Sequence, residues 1–112
     1  GQTRIVLVNV QPALDHPYHG GLLNPQAVGE LRRSGEQAAA TARALLDASG
    51  VPYDLEVVFG QPAEVVARVA REQRCQAVVM GTRGLGSLGS ALLGSTAHRV
   101  VELCDVPVTL VK

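Results

Sequence analysis

The chain has 112 residues, 46% hydrophobic and 18% charged, so it is long enough for one domain with a core and too apolar to be disordered. Ten basic residues balance ten acidic ones and aromatic residues make up only 3%, which argues against nucleic acid or an anionic membrane as a partner. No apolar stretch is long enough to span a membrane, and the first residues follow no signal-peptide pattern. A single cytoplasmic domain over residues 1–112 is therefore expected.

The first half of the chain predicts two strands separated by a loop and a long helix. Residues 4–10 are rich in β-branched side chains, which is typical of a strand buried on both faces. Residues 11–25 hold three prolines and two glycines and predict a loop. Apolar residues then recur every three or four positions, which predicts a helix from Asn24 or Pro25 to Gly50. Residues 53–59 alternate more and predict a strand nearer the sheet edge.

The second half predicts two further helices and two further strands. A helix opens at Pro62, and Arg71 and Arg74 in its last turn match the helix dipole. Strands are predicted at residues 76–80 and 107–111, and Ser95 or Thr96 is predicted to cap the helix between them. The inner faces of these two helices are predicted to consist of Val65, Val66, Val69, Ala70 and Gln73, and of Ala97, Val100, Val101 and Cys104. The order β-α-β-α-β-α-β predicts an α/β fold, an open parallel sheet with helices on both faces.

A glycine-rich segment follows the third predicted strand, and ligands of open parallel sheets bind beyond the carboxyl ends of the strands. It contains Gly81, Gly84, Gly86, Gly89 and Gly94. Glycine lets backbone N–H groups approach an anion closely, and the start of a helix adds unpaired donors and positive dipole. The segment is therefore a candidate phosphate-binding loop, and a flexible strand-to-helix connection with capping residues is the alternative.

Two common phosphate motifs do not fit this segment. The Walker A pattern GxxxxGK(S/T) is absent because the only lysine is Lys112. Residues 84–89 match GxGxxG, but they follow the third strand and do not directly open a helix, and no acidic residue ends the next strand. A fragment of an NAD-dependent enzyme is therefore disfavoured.

A third pattern fits in full: Gly81, two residues, Gly84, nine residues and then Gly94-Ser95, which is GxxG-x9-G(S/T). This motif and the stretches TRIVLVNVQP, ASGVPYDLEVVFGQPAEVVARVA, CQAVVMGTRG and LLGSTAHRVVELCDVPVTLVK resemble the nucleotide-binding branch of the universal stress protein family over nearly the whole chain. The resemblance implies an adenine-nucleotide alpha-hydrolase-like fold. It also implies a stress-response module that binds ATP, ADP or AMP, with magnesium accompanying the phosphates.

The resemblance also implies which residues contact the nucleotide. Val10 would touch the adenine. The remaining contacts would come from the end of the third strand, the glycine loop and the last helix: Met80, Gly81, Gly84, Gly94, Ser95, Thr96 and Ala97. The first two would lie beside the adenosine, Gly84 and Gly94 would open the loop, and the last three would meet the phosphates. Arg83 lies inside the loop, where it either reaches a phosphate or is simply exposed.

The chain departs from the family at its beginning. Family members usually start with a strand that ends in an acidic residue and continues into a helix, whereas the first strand here matches the family's second. The missing strand would be the central one, and Asn9 and Asp15, the nearest polar candidates, do not sit at the position of its acid. Three alternatives remain open: a truncated piece or natural short form, a strand supplied by a partner, or four strands that close up with the first pairing directly to the third.

A homodimer is also expected. Residues 106–111 resemble the strand through which family members dimerise, and Pro107 at its start suits a sheet edge because the missing donor is harmless there. An exchange of strands between subunits is the alternative route, since a chain without its central strand has unpaired backbone to cover.

Other polar groups give weaker signals. Cys75 and Cys104 have no CxxC spacing and are predicted to be buried or half-buried free thiols, with a disulfide or metal site as the alternative. Residues 16–19 contain two histidines but no third ligand, and His98 and Arg99 are predicted to be solvated. No nucleophile and base can be assembled, so no catalytic residue is assigned and at most slow ATP hydrolysis is expected. The alternative function is a protein-interaction or structural module that has lost nucleotide binding.

Overall fold

The structure is a computed structural model and describes residues 3–12, 25–81 and 89–111. The chain divides into two compact units, residues 1–61 and residues 62–112. The first unit contains β1 (Ile5–Gln11), α1 (Pro25–Ala38), α2 (Ala40–Ser49) and β2 (Tyr53–Phe59). The second contains α3 (Pro62–Glu72), β3 (Val78–Gly81), α4 (Gly89–Leu103) and β4 (Val108–Val111). None of these helices is both long and apolar enough to cross a membrane.

The strands pair as two parallel ladders. In the first unit β1 pairs with β2, from Ile5 opposite Tyr53 to Gln11 opposite Phe59. In the second unit β3 pairs with β4, from Val78 opposite Val108 to Gly81 opposite Val111. The predicted α/β class with parallel strands and intervening helices is confirmed. Among the described residues each ladder has two strands, so the alternative in which the first strand pairs with the third is not the arrangement found.

In the first unit, α1 packs on one face of the β1–β2 ladder. All seven residues of β1 are half-buried, so the prediction that this strand is buried on both faces is wrong. A run of β-branched residues favours a strand but does not by itself show how many of its faces are packed against other elements. Within the described part of this unit, α1 lies against the face that carries Asn9 and Val57.

The helix predicted to run to Gly50 is interrupted at Ala39, which separates α1 from α2. Ala39 keeps a helical φ of −88° with ψ of −3°, its N–H donates to the Gly35 carbonyl at 3.1 Å, and its own carbonyl accepts from Arg43 at 2.9 Å. The interruption is therefore local, and nothing in the sequence around Ala39 explains it. The predicted end is confirmed, because Gly50 adopts a left-handed φ of 73° and donates to the Leu46 and Asp47 carbonyls.

In the second unit, α3 packs against α4, and α4 also packs against β4. The buried residues of this unit are all small or β-branched: Ala63, Val65, Ala67, Val69, Ala70, Ala97 and Val100. Most of the predicted inner faces are confirmed, but Gln73 and Val101 are exposed. Val101 follows the fully buried Val100 and points about 100° away from it around the helix, so both cannot face α3.

The carboxyl end of α3 is closed by a Schellman motif. The Cys75 N–H donates to the Ala70 carbonyl at 2.8 Å and the Arg74 N–H donates to the Arg71 carbonyl at 3.2 Å. Arg74 occupies the left-handed position of this motif with φ of 55°. Glycine is the usual residue there, because a Cβ in the left-handed region costs roughly 1–2 kcal/mol.

Gly35 of α1 is required by packing. A Cβ at this position would lie 2.7 Å from Cγ1 of Val57 and 2.8 Å from Oδ1 of Asn9, closer than carbon atoms can approach without displacement. Gly35 is itself buried. The absence of a side chain at residue 35 therefore lets α1 lie directly on the ladder.

We predict that Gly35→Ala destabilises the protein by about 1–3 kcal/mol, because overpacking outweighs the gain in helix propensity. Gly29→Ala is the matched control on the same helix, since a Cβ there would meet only Nη1 of Arg33 at 3.8 Å. That variant should gain roughly 0.5–1 kcal/mol. Urea unfolding of both variants measures the two changes, and a stabilised Gly35→Ala protein would contradict the close approach of α1.

Candidate functional site

The carboxyl end of β3 carries the first two residues of the predicted nucleotide site. Met80 is half-buried and lies opposite Leu110, and Gly81 is the exposed last residue of β3, opposite Val111. Both therefore sit at the edge of the β3–β4 ladder from which ligands of parallel sheets are contacted.

Neither packing nor backbone conformation requires glycine at residue 81. A Cβ added there would meet the Val111 carbonyl oxygen at 3.8 Å, an ordinary van der Waals contact, among the residues that the structure describes. The left-handed glycines of the described ranges are Gly50 and Gly60. Gly81 thus differs from Gly35, whose neighbours exclude a side chain, and leaves the backbone at the strand end open to a ligand.

Three further candidate residues lie on α4 and differ in exposure. Ser95 is exposed, Thr96 is half-buried and Ala97 is buried with 5% of its surface accessible. Because Ala97 packs in the same core as Val100, its side chain serves the α3–α4 contact. A phosphate could be met by the Ser95 hydroxyl, and Ala97 could contribute only its backbone.

The predicted start of the last helix is wrong. Ser95 or Thr96 was expected at its N-cap, whereas α4 begins at Gly89. Alanine and leucine at residues 91–93 are among the strongest helix formers, and a single glycine at residue 94 costs only about 1 kcal/mol in a helix interior. In a regular helix that begins at Gly89, the unpaired N–H groups belong to its first four residues. The amides of Ser95, Thr96 and Ala97 then lie within the hydrogen-bonded part of α4.

Val10, the predicted adenine contact, belongs to the first unit. It is half-buried in β1 opposite Val58. Side chains alternate along a strand, so Val10 points to the opposite face of the ladder from Asn9. Asn9 lies under α1 beside Gly35 and accepts a hydrogen bond of 2.7 Å from Nε2 of Gln11. Asn9 is therefore on the wrong face to replace an acidic residue beside Val10.

For several predicted site residues the structure gives no side-chain position. Arg83 and Gly84 lie outside the described residues, as do Asp15, His16 and His19. Gly94 lies within α4. Across residues 3–12, 25–81 and 89–111, no group of three or more His, Cys, Asp or Glu residues is arranged to hold a metal ion.

Two of the weaker sequence signals, the cysteines and the polar residues of the last helix, are as predicted. Cys75 and Cys104 are free and half-buried. His98 and Arg99 are exposed on α4, where each forms an ion pair of 3.7 Å with Glu102. Such exposed pairs contribute little to stability and belong to a solvated helix face.

These elements define an α/β protein of the adenine-nucleotide alpha-hydrolase-like class, with a glycine-rich strand end followed by a helix. The sequence matches the model of the Universal stress protein family over residues 2–112. The chain therefore belongs to the universal stress protein family.

Individual relatives agree with this assignment. A universal stress protein from Thermus aquaticus, described as lying in the QAH/OAS sulfhydrylase 3' region, is 39% identical over 113 aligned positions, with 100% of this chain and 79% of that protein covered. Universal stress protein MJ0531 of Methanocaldococcus jannaschii is 31% identical, with 96% of this chain and 62% of that protein covered. The chain thus spans somewhat less than two thirds of the second relative.

Solved structures agree on the fold. The structure of hypothetical protein MJ0577 superposes on this chain with a TM-score of 0.79 at 20% identity. The superposition covers 100% of this chain and 77% of the MJ0577 chain. A universal stress protein family member from Burkholderia pseudomallei superposes with a TM-score of 0.66 at 27% identity, covering 96% of this chain and 73% of its own.

We predict that Ser95→Ala leaves the free energy of unfolding unchanged or raises it by up to roughly 0.5 kcal/mol, because alanine is the better residue in a helix interior. An N-cap serine would instead cost about 1 kcal/mol on replacement by alanine. Thermal unfolding of the ligand-free protein distinguishes the two positions. A clear loss of stability in Ser95→Ala would indicate that Ser95 is the N-cap and that the helix begins there.

Proposed function

We propose that this chain binds ATP or a related adenine nucleotide at the carboxyl end of β3 and acts as a nucleotide-dependent stress-response module in the cytoplasm. The observation that carries the proposal is the GxxG-x9-GS spacing, with its first glycine as the exposed last residue of β3. Gly81 has no steric or conformational reason to be glycine within the described residues, and a ligand that approaches the backbone supplies one.

The residues present suit the phosphate end of a nucleotide better than its nucleoside end. Exposed Ser95 offers a hydroxyl and half-buried Thr96 a second one on the helix that follows the glycine segment. Magnesium would accompany the phosphates and reduce their charge when bound. Val10, the expected adenine contact, lies in the first unit, and Asn9 is directed to the opposite face of its strand.

Phosphate binding by backbone amides would require α4 to begin later than it does. The N–H groups of Ser95, Thr96 and Ala97 are free for a ligand only if the preceding turn of α4 unwinds. Gly94 favours that change, because glycine is about 1 kcal/mol less favourable than alanine inside a helix. The proposal therefore includes a shortening of α4 when nucleotide binds.

We predict saturable binding of Mg-ATP to the full chain by titration calorimetry, with affinity reduced at least tenfold, or about 1.4 kcal/mol, in Gly94→Val. A branched side chain at residue 94 blocks close approach of the backbone to phosphate. Gly29→Ala on α1, where a Cβ would meet only Nη1 of Arg33 at 3.8 Å, is the control and should bind as the unchanged chain does. Helical circular dichroism should decrease on binding if α4 shortens.

No heat and no thermal shift at millimolar Mg-ATP would contradict nucleotide binding. Equal affinity in Gly94→Val would instead show that the glycine segment does not hold the phosphates. Mass spectrometry of any small molecule released from the denatured protein identifies the nucleotide independently. NAD serves as the comparison ligand, and preferential NAD binding would favour the GxGxxG interpretation of residues 84–89.

A protein-interaction module without nucleotide binding is the second candidate function. One observation favours it: the amides proposed to meet the phosphates lie inside α4. A folded chain that binds no adenine nucleotide but still self-associates would support this candidate.

We further propose a homodimer formed through β4. Within the described residues β4 pairs with β3 on one edge, and Leu110 and Val111 each expose 47% of their surface. An exposed apolar strand associates readily with another strand. Strand exchange between two chains is the alternative form of the same assembly.

We predict that Leu110→Lys converts the dimer to a monomer, because a lysine on an edge strand opposes further pairing. Leu45→Lys is the matched control, since Leu45 is a 67% exposed leucine on α2. Light scattering at micromolar concentration gives the mass of each protein. If the unchanged chain already has the mass of one copy, the dimer is wrong.

A further inference from the structure

A cavity lies in the second unit. It has a volume of about 200 Å³ and is formed by the end of α3 and the segment that follows α4. The lining residues are Ala67, Ala70, Arg71, Arg74, Cys75, Leu103, Asp105 and Val106. Because these residues precede β3 and β4, the cavity is at the amino ends of those strands, opposite the end that carries Gly81. Pockets for drug-sized ligands hold roughly 300–1,000 Å³, so this one suits a smaller molecule.

Two arginines without an acidic partner line this cavity. Arg4, Arg68 and Arg99 form ion pairs with Asp54, Glu72 and Glu102. Neither Arg71 nor Arg74 forms a side-chain hydrogen bond or ion pair with any residue in the described ranges. Asp105 is the only acid in the lining, which leaves the cavity with one net positive charge. Two guanidinium groups with free donors are well suited to an oxyanion.

Arg74 is also held where glycine would be more stable. It occupies the left-handed position of the Schellman motif with φ of 55°. A residue in such a strained conformation is a reason to look for a function. Its conformation brings the Arg74 side chain to the cavity that Arg71 and Cys75 also line.

The remaining lining restricts the chemical class of the anion. Ala67, Ala70, Leu103 and Val106 supply apolar surface. Asp105 and the carboxyl ends of α3 and α4, with their partial negative charge, oppose a multiply charged ion such as phosphate. A single carboxylate with a short apolar chain satisfies both the guanidinium groups and the apolar wall. We infer that this cavity binds a small organic monocarboxylate through Arg71 and Arg74.

Cys75 reports on this site because its thiol lines the cavity, whereas Cys104 lies outside the lining. The thiolate sulfur attacks the methylene carbon of iodoacetate or iodoacetamide, a C–S bond forms and iodide leaves with the electron pair of the C–I bond. Both reagents react only with the thiolate, so the ionised fraction of a thiol enters both rates equally. The ratio of the iodoacetate rate to the iodoacetamide rate at one thiol is therefore independent of that fraction. Burial and, after it, Asp105 raise the pKa of Cys104, and the smaller effect of Arg71 lowers it; this net shift cancels in the ratio at Cys104 too.

We predict that the iodoacetate-to-iodoacetamide ratio at Cys75 exceeds the ratio for the same thiol in the urea-unfolded chain by at least about fivefold, the effect of one nearby guanidinium in water. At Cys104, beside Asp105, the ratio should be at or below the unfolded value. Peptide mass spectrometry resolves the two sites. Added 4-methylpentanoate should slow Cys75 alkylation by iodoacetamide, and 4-methylpentanamide should not.

Arg74→Gln and Arg71→Gln should each lower the Cys75 ratio severalfold. Arg68→Gln is the matched control, because Arg68 lies on α3 outside the cavity lining. The substitution changes the net charge of the chain by the same amount as Arg71→Gln or Arg74→Gln. Circular dichroism verifies that each variant is folded. The inference is overturned if Cys75 shows no preference for iodoacetate, if Arg68→Gln lowers the ratio equally, or if inorganic phosphate protects Cys75 better than 4-methylpentanoate. None of these results depends on nucleotide binding at the other end of β3.

Discussion

The contact between α3 and α4 is the interaction on which the second unit depends. Its side chains are alanines and valines, so the two helices approach closely and fill the space between them without large residues. The direction of each α4 residue follows from this contact, because Ala97 and Val100 must face α3. Ser95, His98, Arg99 and Glu102 consequently lie on the exposed side of α4. The exposed hydroxyl residue Ser95 of α4 is thus placed by an apolar core.

The same contact separates two chemically different ends of the second unit. At the carboxyl end of β3, the backbone at Gly81 is open within the described residues. At the amino ends, two guanidinium groups, a thiol and an apolar wall surround a cavity. The first end suits a nucleotide phosphate met by small residues, and the second suits a carboxylate met by long cationic side chains. Ligands at the two ends would not compete for the same atoms.

Glycines in this chain serve different physical purposes, and the structure distinguishes them. Val57 and Asn9 leave no room for a side chain at Gly35, and Gly50 ends α2 in the left-handed conformation. Gly81 meets neither condition among the described residues, so its role is best sought in ligand approach. The opposite case is Arg74, which occupies a position where a glycine would be expected and has its side chain at a cavity.

Sequence alone determined the order of strands and helices, the family and most of the second unit's core, because hydrophobic period and glycine spacing are local properties of the chain. Gly50 and the valines of α3 follow from such patterns. It did not determine the start of α4, since residues 89–94 combine glycines that favour a loop with alanine and leucine that favour a helix. The half-burial of β1, the face on which Asn9 lies and the packing of Leu103 and Val106 beside Arg71 at one cavity also required the structure. Each depends on contacts between residues distant in sequence, which set what covers a strand, which way a side chain points and which charges remain unpaired.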